Sequence, residues 1–234
     1  MVTGSSSIVG TTVSDGIGCI PGFVNSYTYA EGAETYLIDT GFNRKAKPIV
    51  RAFGSANVPL ARVSKMLLTH HHLDHMGGAA FLLQTTHAPI ACHTDDAPFV
   101  DGRQRAPMPW LMRLFVRVHP APVAVPLKDG DTVGSLRVVH VPGHTPGEVA
   151  LYHPTRKILF SGDSVVERKG RLTIPAAKFA SNLSQAVQSV SRLRALDVEL
   201  LLPGHGAPVT KNVDTALDDL IRRAPTEFLA RSPR

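Results

Sequence analysis

Cysteine is nearly absent from this chain. Cys19 and Cys92 are its only cysteines, and no CxxC pair occurs. Small domains held together by disulfides and zinc sites built from thiolates both need more cysteines, so the sequence argues against both classes. A reducing compartment, the cytoplasm, is the expected location.

Long apolar runs are also absent. No uninterrupted apolar stretch approaches the roughly 20 residues that cross a bilayer, and residues 1–10 lack the basic and apolar regions of a secretory signal. The lysines and arginines, which give a formal net charge of +6, are scattered along the chain. A nucleic-acid-binding surface gathers its positive side chains into a patch or stripe. We therefore expect neither a membrane partner nor a nucleic-acid partner.

The chain does contain the pattern of one ordinary globular domain. Its 234 residues are 43% hydrophobic and 19% charged, which suits a sizeable buried core. Short apolar strands come in runs with amphipathic helices between them, which indicates an α/β or α+β sandwich. The clearest helical pattern covers residues 182–195, with Leu183, Val187 and Val190 on one stripe and Asn182 as the expected N-cap. We predict a single domain over residues 1–234.

Residues 94–122 interrupt this alternation of strand and helix patterns. They contain five prolines, the only tryptophan and an amphipathic stretch from residue 110 to residue 118. One interpretation is a helical insertion that forms a lid, in which Trp110, Leu114 and Phe115 shape an apolar substrate pocket, because loops on a rigid scaffold often carry specificity. The other interpretation is a packed surface segment, and the sequence leaves both open.

The densest chemical signal lies just after an apolar strand. His70, His72, Asp74 and His75 fall within six residues, and two glycines follow them. Alternate residues of an extended segment point the same way, so His70 and His72 can converge on one metal ion. Asp74 and His75 come after the chain turns, and they can face a second ion. A histidine-rich surface loop is the alternative, which the interleaved aspartate and the strand–loop–glycine context disfavour.

Three further candidates repeat one design, a strand that ends in Gly-His or Gly-Asp. They are His144 in PGHTPG, Asp163 in LFSGDS and His205 in PGHG. The repetition predicts that these side chains join the metal site. The histidines without such a context are expected to be structural or surface residues: His87, His93, His119, His140 and His153.

Together the motifs resemble those of the metallo-β-lactamase superfamily. THHHLDHMGG, VPGHTPGEV, LFSGDS and LLPGHG, with YLIDTG around Asp39, stand in the family's order and cover residues 22–210. The resemblance implies an α/β fold, a four-layer αβ/βα sandwich with the metal site at one edge between the two sheets. It implies that Asp39 supports the site from behind by hydrogen bonding and that His71 is a spacer. It assigns the ligands as follows: His70, His72 and His144 to one ion, Asp74, His75 and His205 to the other, and Asp163 as the bridge between them.

The resemblance also implies the chemistry. Nitrogen and oxygen ligands suit two divalent ions, with zinc first and iron or manganese as alternatives. A hydroxide that bridges two ions attacks a carbonyl carbon in such sites, and Asp74 is the expected catalytic residue that orients it and moves its proton. The expected function is hydrolysis of an ester, thioester or lactone bond in a small-molecule substrate. Promiscuous β-lactam hydrolysis and a homodimer are left open.

Departures from the family's subgroups narrow this expectation. Only 29 residues follow His205, too few for the C-terminal domain that grips glutathione in glyoxalase II-type enzymes. Val166 stands where acyl-homoserine lactonases usually carry a tyrosine, which weakens the lactonase interpretation, although Tyr27 or Tyr29 could complete a substrate pocket. Dedicated β-lactamases usually carry an export signal, and nuclease members carry further domains, neither of which is expected here.

A second hypothesis is an iron-dependent oxidoreductase, such as a persulfide dioxygenase, on the same fold. Such an enzyme needs one iron, bound by His70, His72 and His144 or a close variant, whereas Asp74 and His205 favour two metals and hydrolysis. A third hypothesis, a metal-stabilised binding module, is disfavoured because stability alone does not require a complete site with an open bridging position.

Overall fold

The computed structural model describes residues 8–106, 119–224 and 226–227. Within the chain, contacts group the residues into two compact units. Unit 1 is drawn from Met1–Cys92 and Ala97–Pro126, and unit 2 from His93–Asp96 and Leu127–Arg234. The single domain expected over residues 1–234 stays a prediction. The expected lid residues Trp110, Leu114 and Phe115 lie outside the described residues.

Unit 1 is built on a seven-stranded sheet. Its strands follow one another across the sheet in chain order. The first four form an antiparallel meander, and the fifth and sixth join it in parallel pairing. The strands are β1 (Thr11–Ser14), β2 (Ile17–Ile20), β3 (Ser26–Glu31), β4 (Glu34–Ile38), β5 (Lys65–Leu67), β6 (Ile90–His93) and β7 (Val123–Leu127).

The helices described in unit 1 follow β4, β5 and β6 along the chain. They are α1 (Lys47–Ser55), α2 (Leu73–Met76), α3 (Ala79–Thr86) and α4 (Ala97–Val100), with a 3-10 turn at Leu60–Arg62. In α1, proline in the first turn suits a helix start because that position needs no backbone N–H donor. The apolar residues Ile49 and Phe53, four positions apart on one face, are both buried. They belong to a core that includes Leu37 and Met66 of the sheet and Leu82 of α3.

Unit 2 holds a five-stranded sheet, a two-stranded sheet and two long helices. The larger sheet has the strand order β14-β11-β10-β9-β8, and β12 pairs with β13 in the smaller one. The elements are β8 (Thr132–Val133), β9 (Leu136–His140), β10 (Val149–His153), β11 (Ile158–Gly162), β12 (Val166–Arg168), β13 (Arg171–Thr173), α5 (Leu183–Arg194), β14 (Leu200–Pro203) and α6 (Val213–Ala224), with a 3-10 turn at Ala177–Phe179.

The core of unit 2 lies against its larger sheet. Val190 and Leu193 of α5 and Leu217 of α6 are fully buried and cluster with Leu159 of β11 and Leu201 of β14. The helix that the sequence predicted here is confirmed together with its cap. The Asn182 side chain accepts a hydrogen bond from the backbone N–H of Gln185 at 3.0 Å, which satisfies one of the otherwise unpaired amides of the first turn.

The predicted α/β class is confirmed, since sheets and helices alternate in both units. Among the described residues, no helix is both long enough and apolar enough to cross a membrane. In each unit, candidate ligands follow the carboxyl ends of strands. His70 comes three residues after β5, Asp163 directly follows β11, and His205 lies two residues past β14. The strands therefore set the positions from which these side chains act.

Candidate metal centre

Unit 1 gathers four of the predicted ligands. His70 and His72 lie on the extended segment after β5, while Asp74 and His75 lie on α2. The ring centroid of His70 is 4.8 Å from that of His72 and 4.0 Å from that of His75. His70 and His75 are fully buried. The alternation along the strand extension and the first turn of α2 thus bring three imidazole rings together.

The carboxylate of Asp39 holds two of these rings through hydrogen bonds. Asp39, which is buried, accepts three hydrogen bonds of 2.8 Å: from the Thr69 backbone N–H, from the Thr69 hydroxyl, and from Nδ1 of His75. Because the Thr69 hydroxyl donates its proton to Asp39, its oxygen accepts from Nδ1 of His70, 3.0 Å away. Both histidines therefore carry their proton on Nδ1. The lone pair is left on Nε2, the arrangement that metal-binding histidines adopt.

Two glycines let this segment approach the loop that follows Asp39. A Cβ on Gly77 would lie 2.6 Å from the backbone oxygen of Phe42, and one on Gly78 would lie 2.6 Å from that of Thr40. Thr40 is in turn held by its backbone N–H and its hydroxyl, which donate to the carbonyl of His75 at 2.7 and 2.9 Å. Close packing of the two backbones therefore requires glycine at both positions.

His71, the expected spacer, has a different environment from its neighbours. Its ring is buried and stacks on Phe99, with centroids 4.3 Å apart and planes 21° from parallel. This packing occupies one face of the ring. It gives His71 a structural role in unit 1.

Unit 2 gathers the other three predicted ligands. Oδ2 of Asp163 lies 3.6 Å from Nε2 of His144 and 3.4 Å from Nε2 of His205. The His144 and Asp163 side chains are buried, and that of His205 is 23% exposed. A carboxylate oxygen this close to two imidazole nitrogens offers three donor atoms to one region of space. Zinc binds such nitrogen and oxygen donors at about 2.0–2.2 Å.

Two buried carboxylates that the sequence reasoning missed support this half. Asp96 accepts from the Thr145 hydroxyl at 2.8 Å and from the Gly147 backbone N–H at 2.7 Å. Glu148 accepts from the backbone N–H of Asp163 at 2.7 Å. Both carboxylates are fully buried. Asp96 fixes the loop that carries His144, and Glu148 fixes the backbone of Asp163. Glu148 directly precedes β10, a position that could have drawn attention to it, whereas Asp96 stands beside Asp95 in a polar turn with no such local signal.

The aromatic residues proposed for a substrate pocket have mixed outcomes. Tyr27 and Tyr29 are each 2% exposed. The Tyr27 hydroxyl accepts from the Asn25 amide at 3.3 Å, and burial raises the pKa of Tyr27 well above its ordinary value. Tyr29 stacks on Tyr36 with ring centroids 5.9 Å apart. Both side chains lie in the core of unit 1, which does not favour a role in substrate contact, and that role stays a prediction.

The donor sets of both units fit divalent metal ions. Histidine nitrogens and carboxylate oxygens suit zinc, iron or manganese, and no thiolate is present among the predicted ligands to select a softer ion. In unit 1 the hydrogen bonds to Nδ1 fix the rings so that Nε2 is the binding atom. In unit 2 a carboxylate oxygen already lies between two imidazoles. Each half thus has the ligand types and the supporting contacts that a metal site requires.

Comparison with known sequences gives a consistent result. The sequence model of the metallo-beta-lactamase superfamily matches residues 19–205, a range that includes all seven predicted ligands. "Probable metallo-hydrolase YybB" of Bacillus subtilis is 27% identical over 201 residues, covering 85% of this chain and 88% of that protein. The hydroxyacylglutathione hydrolase of Pseudomonas aeruginosa (strain LESB58) is 33% identical over 190 residues, covering 77% of this chain but only 61% of the enzyme. The acyl-coenzyme A thioesterase MBLAC2 of Bos taurus is 28% identical over 194 residues, covering 72% of this chain and 68% of that protein.

Solved structures agree on the fold. The metallo-beta-lactamase family protein TTHA1429 from Thermus thermophilus matches with a TM-score of 0.74 at 23% identity, covering 91% of this chain and 80% of that one. TTHA1623, solved in a di-iron-bound form, matches with a TM-score of 0.66 at 28% identity, covering 83% of this chain and 93% of that one. The fold type expected from the sequence motifs is therefore confirmed.

Replacing Asp39 with asparagine tests the carboxylate behind the rings. In Asp39→Asn one carboxylate oxygen becomes an amide nitrogen, which donates. With the amide oxygen at the Oδ2 position, the amide nitrogen faces the Thr69 backbone N–H, which is also a donor; in the opposite orientation, Nδ1 of His75 and the Thr69 hydroxyl both lose their acceptor. We expect metal affinity, measured by competition with a chromophoric chelator, to fall about 10–100-fold. Thr69→Ser keeps the hydroxyl and is the matched control, with affinity near that of the wild type. Equal affinity in Asp39→Asn and the wild type would show that Asp39 does not orient the ligands.

Replacing Asp96 tests the support of the His144 loop. Asp96→Ala removes the acceptor of the buried Thr145 hydroxyl and the Gly147 N–H, and each unsatisfied group costs about 1–3 kcal/mol. We expect the free energy of unfolding, measured with urea, to fall by at least about 2 kcal/mol. Asp95→Ala, at a neighbouring side chain that is 56% exposed, is the control and should stay within about 0.5 kcal/mol of the wild type. A loss for Asp96→Ala no greater than that of the control contradicts this role.

Proposed function

This chain belongs to the metallo-β-lactamase superfamily, and from that premise we propose that it hydrolyses acyl thioesters with a centre of two divalent metal ions. Its curated relatives, which include a probable metallo-hydrolase and two further hydrolases, support a metal-dependent hydrolase. The number of ions, their identity and the substrate are the proposal.

The proposed centre uses the ligands of both units. One ion is assigned to His70, His72 and His144, and the other to Asp74, His75 and His205, with Asp163 shared. Two observations support this assignment. In unit 1 the hydrogen bonds of Thr69 and Asp39 leave Nε2 of two histidines as the binding atom. In unit 2 one oxygen of Asp163 lies within 3.6 Å of two imidazole nitrogens, as a bridging ligand requires.

We propose zinc as the resident ion, with iron as the alternative. Nitrogen and oxygen donors suit both metals. The neighbour solved in a di-iron-bound form is 28% identical, which supports iron as a serious alternative. A mono-iron oxidoreductase, in contrast, would leave Asp74 and His205 without a function as ligands.

The chemistry of the proposed reaction is hydrolysis at a carbonyl carbon. When bound, divalent ions lower the pKa of water towards about 7 and polarise the oxygen of the bond to be cleaved. The chain's own contribution is to orient the attacking water and receive its proton. Asp74, in the first turn of α2 beside His75, is partly exposed and carries a carboxylate oxygen that can accept this proton.

The thioester preference comes from the relatives. The bovine relative is an acyl-coenzyme A thioesterase, and it covers 72% of this chain. The hydroxyacylglutathione hydrolase extends well beyond the matched region, since the chain spans 61% of its length. We therefore propose acyl thioesters as a class rather than glutathione thioesters in particular.

A substrate panel on metal-quantified protein tests this proposal. We expect two zinc or iron ions per chain by elemental analysis, and the highest kcat/KM on acyl thioesters, ahead of lactones, β-lactams and phosphodiesters. Removal of the ions with a chelator should abolish turnover, and readdition should restore it. A single iron with oxygen uptake, or a clear preference for another class of bond, would overturn the proposal.

Replacing Asp74 tests the proton transfer. We expect Asp74→Asn to lower kcat about 10²–10⁴-fold, because the amide cannot accept the proton. Metal content is measured in the same sample, which separates loss of proton transfer from loss of an ion. His71→Phe keeps a ring against Phe99 and is the control, with both metals and most activity retained. Unchanged turnover in Asp74→Asn would exclude Asp74 as the proton acceptor.

A further inference from the structure

A second cluster of metal-ligating side chains lies in unit 2. His93, Asp95 and His140 each offer a ligand atom, and these atoms lie within 4.8 Å of one another. His93 ends β6, Asp95 follows in the next turn, and His140 ends β9. We call this group the His93 cluster. It shares no residue with the proposed catalytic centre, and the sequence analysis expected its two histidines to be structural or surface residues.

The hydrogen bonds of both histidines place their lone pairs on Nδ1. Nε2 of His140 lies 2.9 Å from the backbone oxygen of Pro146, which can only accept, so Nε2 must carry the proton. Nδ1 of His93 accepts from the backbone N–H of Asp95 at 3.2 Å, so this nitrogen carries no proton. Each ring therefore has an unprotonated Nδ1, and in His93 an ion would take the place of the Asp95 backbone N–H at this nitrogen. In His140 the opposite N–H is held by a carbonyl, as is usual for histidines that bind metals.

To hold an ion, one ring of the cluster would have to turn, because a metal binds in the plane of an imidazole and two stacked rings share no point in both planes. The two rings are nearly parallel, with centroids 4.0 Å apart and planes 13° from parallel. Nδ1 of His93 lies 3.7 Å from Oδ2 of Asp95. Ligands about 2.0–2.2 Å from a tetrahedral zinc ion stand about 3.3 Å from each other. The Asp95 side chain is 56% exposed, so it is free to move towards an ion.

The local charges also favour a cation. Burial first, and the neighbouring His140 second, lower the pKa of His93, while the carboxylates of Asp95, Asp96 and Asp129 act in the opposite direction. A neutral His93 has the lone pair that a metal needs. Asp129 accepts from the His140 backbone N–H at 2.8 Å and pairs with Arg192 at 2.7 Å, so its charge is already balanced. Asp95, whose Oδ2 lies 3.7 Å from Nδ1 of His93, is therefore the carboxylate of the cluster that would balance the charge of an ion.

We propose that His93, Asp95 and His140 form a second metal site, at the surface of unit 2, that binds a divalent transition-metal ion such as Zn²⁺. Two nitrogens and one oxygen suit zinc and its neighbours, whereas magnesium and calcium take oxygen ligands. Water completes the coordination on the exposed side.

The position of this site gives it a connection to the His144 loop. His140 donates to Pro146, and Asp96, in the same turn as Asp95, accepts from Thr145 and Gly147. An ion on His93 and His140 would therefore join the two segments that hold residues 145–147. We expect occupancy to increase protection of the Gly147 amide against hydrogen exchange, because this amide already donates to Asp96.

The test counts zinc ions beyond those of the catalytic centre. Protein loaded with its resident metals and freed of excess is titrated with Zn²⁺ by calorimetry. We expect one further equivalent to bind the wild type, and the ring signals of His93 and His140 in NMR spectra to shift with that equivalent. In Asp95→Asn and in His93→Gln the dissociation constant of this equivalent should rise at least tenfold.

The matched control is Asp197→Asn, a surface carboxylate of unit 2 with 66% exposure that faces Lys157. It should bind the further equivalent as the wild type does. Asp95→Asn changes an exposed side chain, so its folding is not at risk even if His93→Gln proves unstable. The proposal is overturned if no further equivalent binds, or if Asp95→Asn binds it as tightly as the wild type. Either result leaves the proposed hydrolase function untouched, because Asp95 has no part in it.

Discussion

The carboxylate of Asp39 determines which nitrogen of two neighbouring histidines carries a proton. It accepts from His75 directly and from His70 through the Thr69 hydroxyl, so both rings hold their proton on Nδ1. A buried carboxylate with three donors is well compensated for the loss of water. The consequence reaches the function, because only this tautomer leaves Nε2 for a metal. The site of unit 1 therefore depends on a residue that is not itself assigned as a ligand.

In unit 2, different buried carboxylates hold the candidate ligands in place. Asp96 and Glu148 are buried carboxylates that accept from a hydroxyl and from backbone N–H groups, and they hold the segments of His144 and Asp163. In both units, then, carboxylates behind the ligands fix the ligands' positions. Such contacts reduce the conformational freedom that metal binding would otherwise have to remove. These hydrogen bonds hold the ligand side chains in fixed positions relative to the sheets.

The sequence was informative where a feature is local and less so where it depends on distant residues. The His70–His75 segment and the Asn182 cap could be predicted because their signals lie within a few neighbouring positions. Asp96 could not, since its partners Thr145 and Gly147 lie about fifty residues away. The β12–β13 hairpin was missed because strands of three residues are too short to show alternation. The substrate class depends on pocket shape, which no spacing of ligands specifies.

The catalytic ligands and the His93 cluster differ most in how much order exists before an ion binds. Around His70 and His75 the side chains are buried and held by hydrogen bonds of 2.8–3.0 Å. In the His93 cluster, one ring is buried but Asp95 is more than half exposed. Fixing an exposed side chain costs conformational entropy, and water competes for its charge. The same ligand chemistry should therefore give a weaker site at the surface. A weaker site fills only when the free metal concentration rises. Through its contact with the His144 loop, the order of that loop would then depend on the metal concentration.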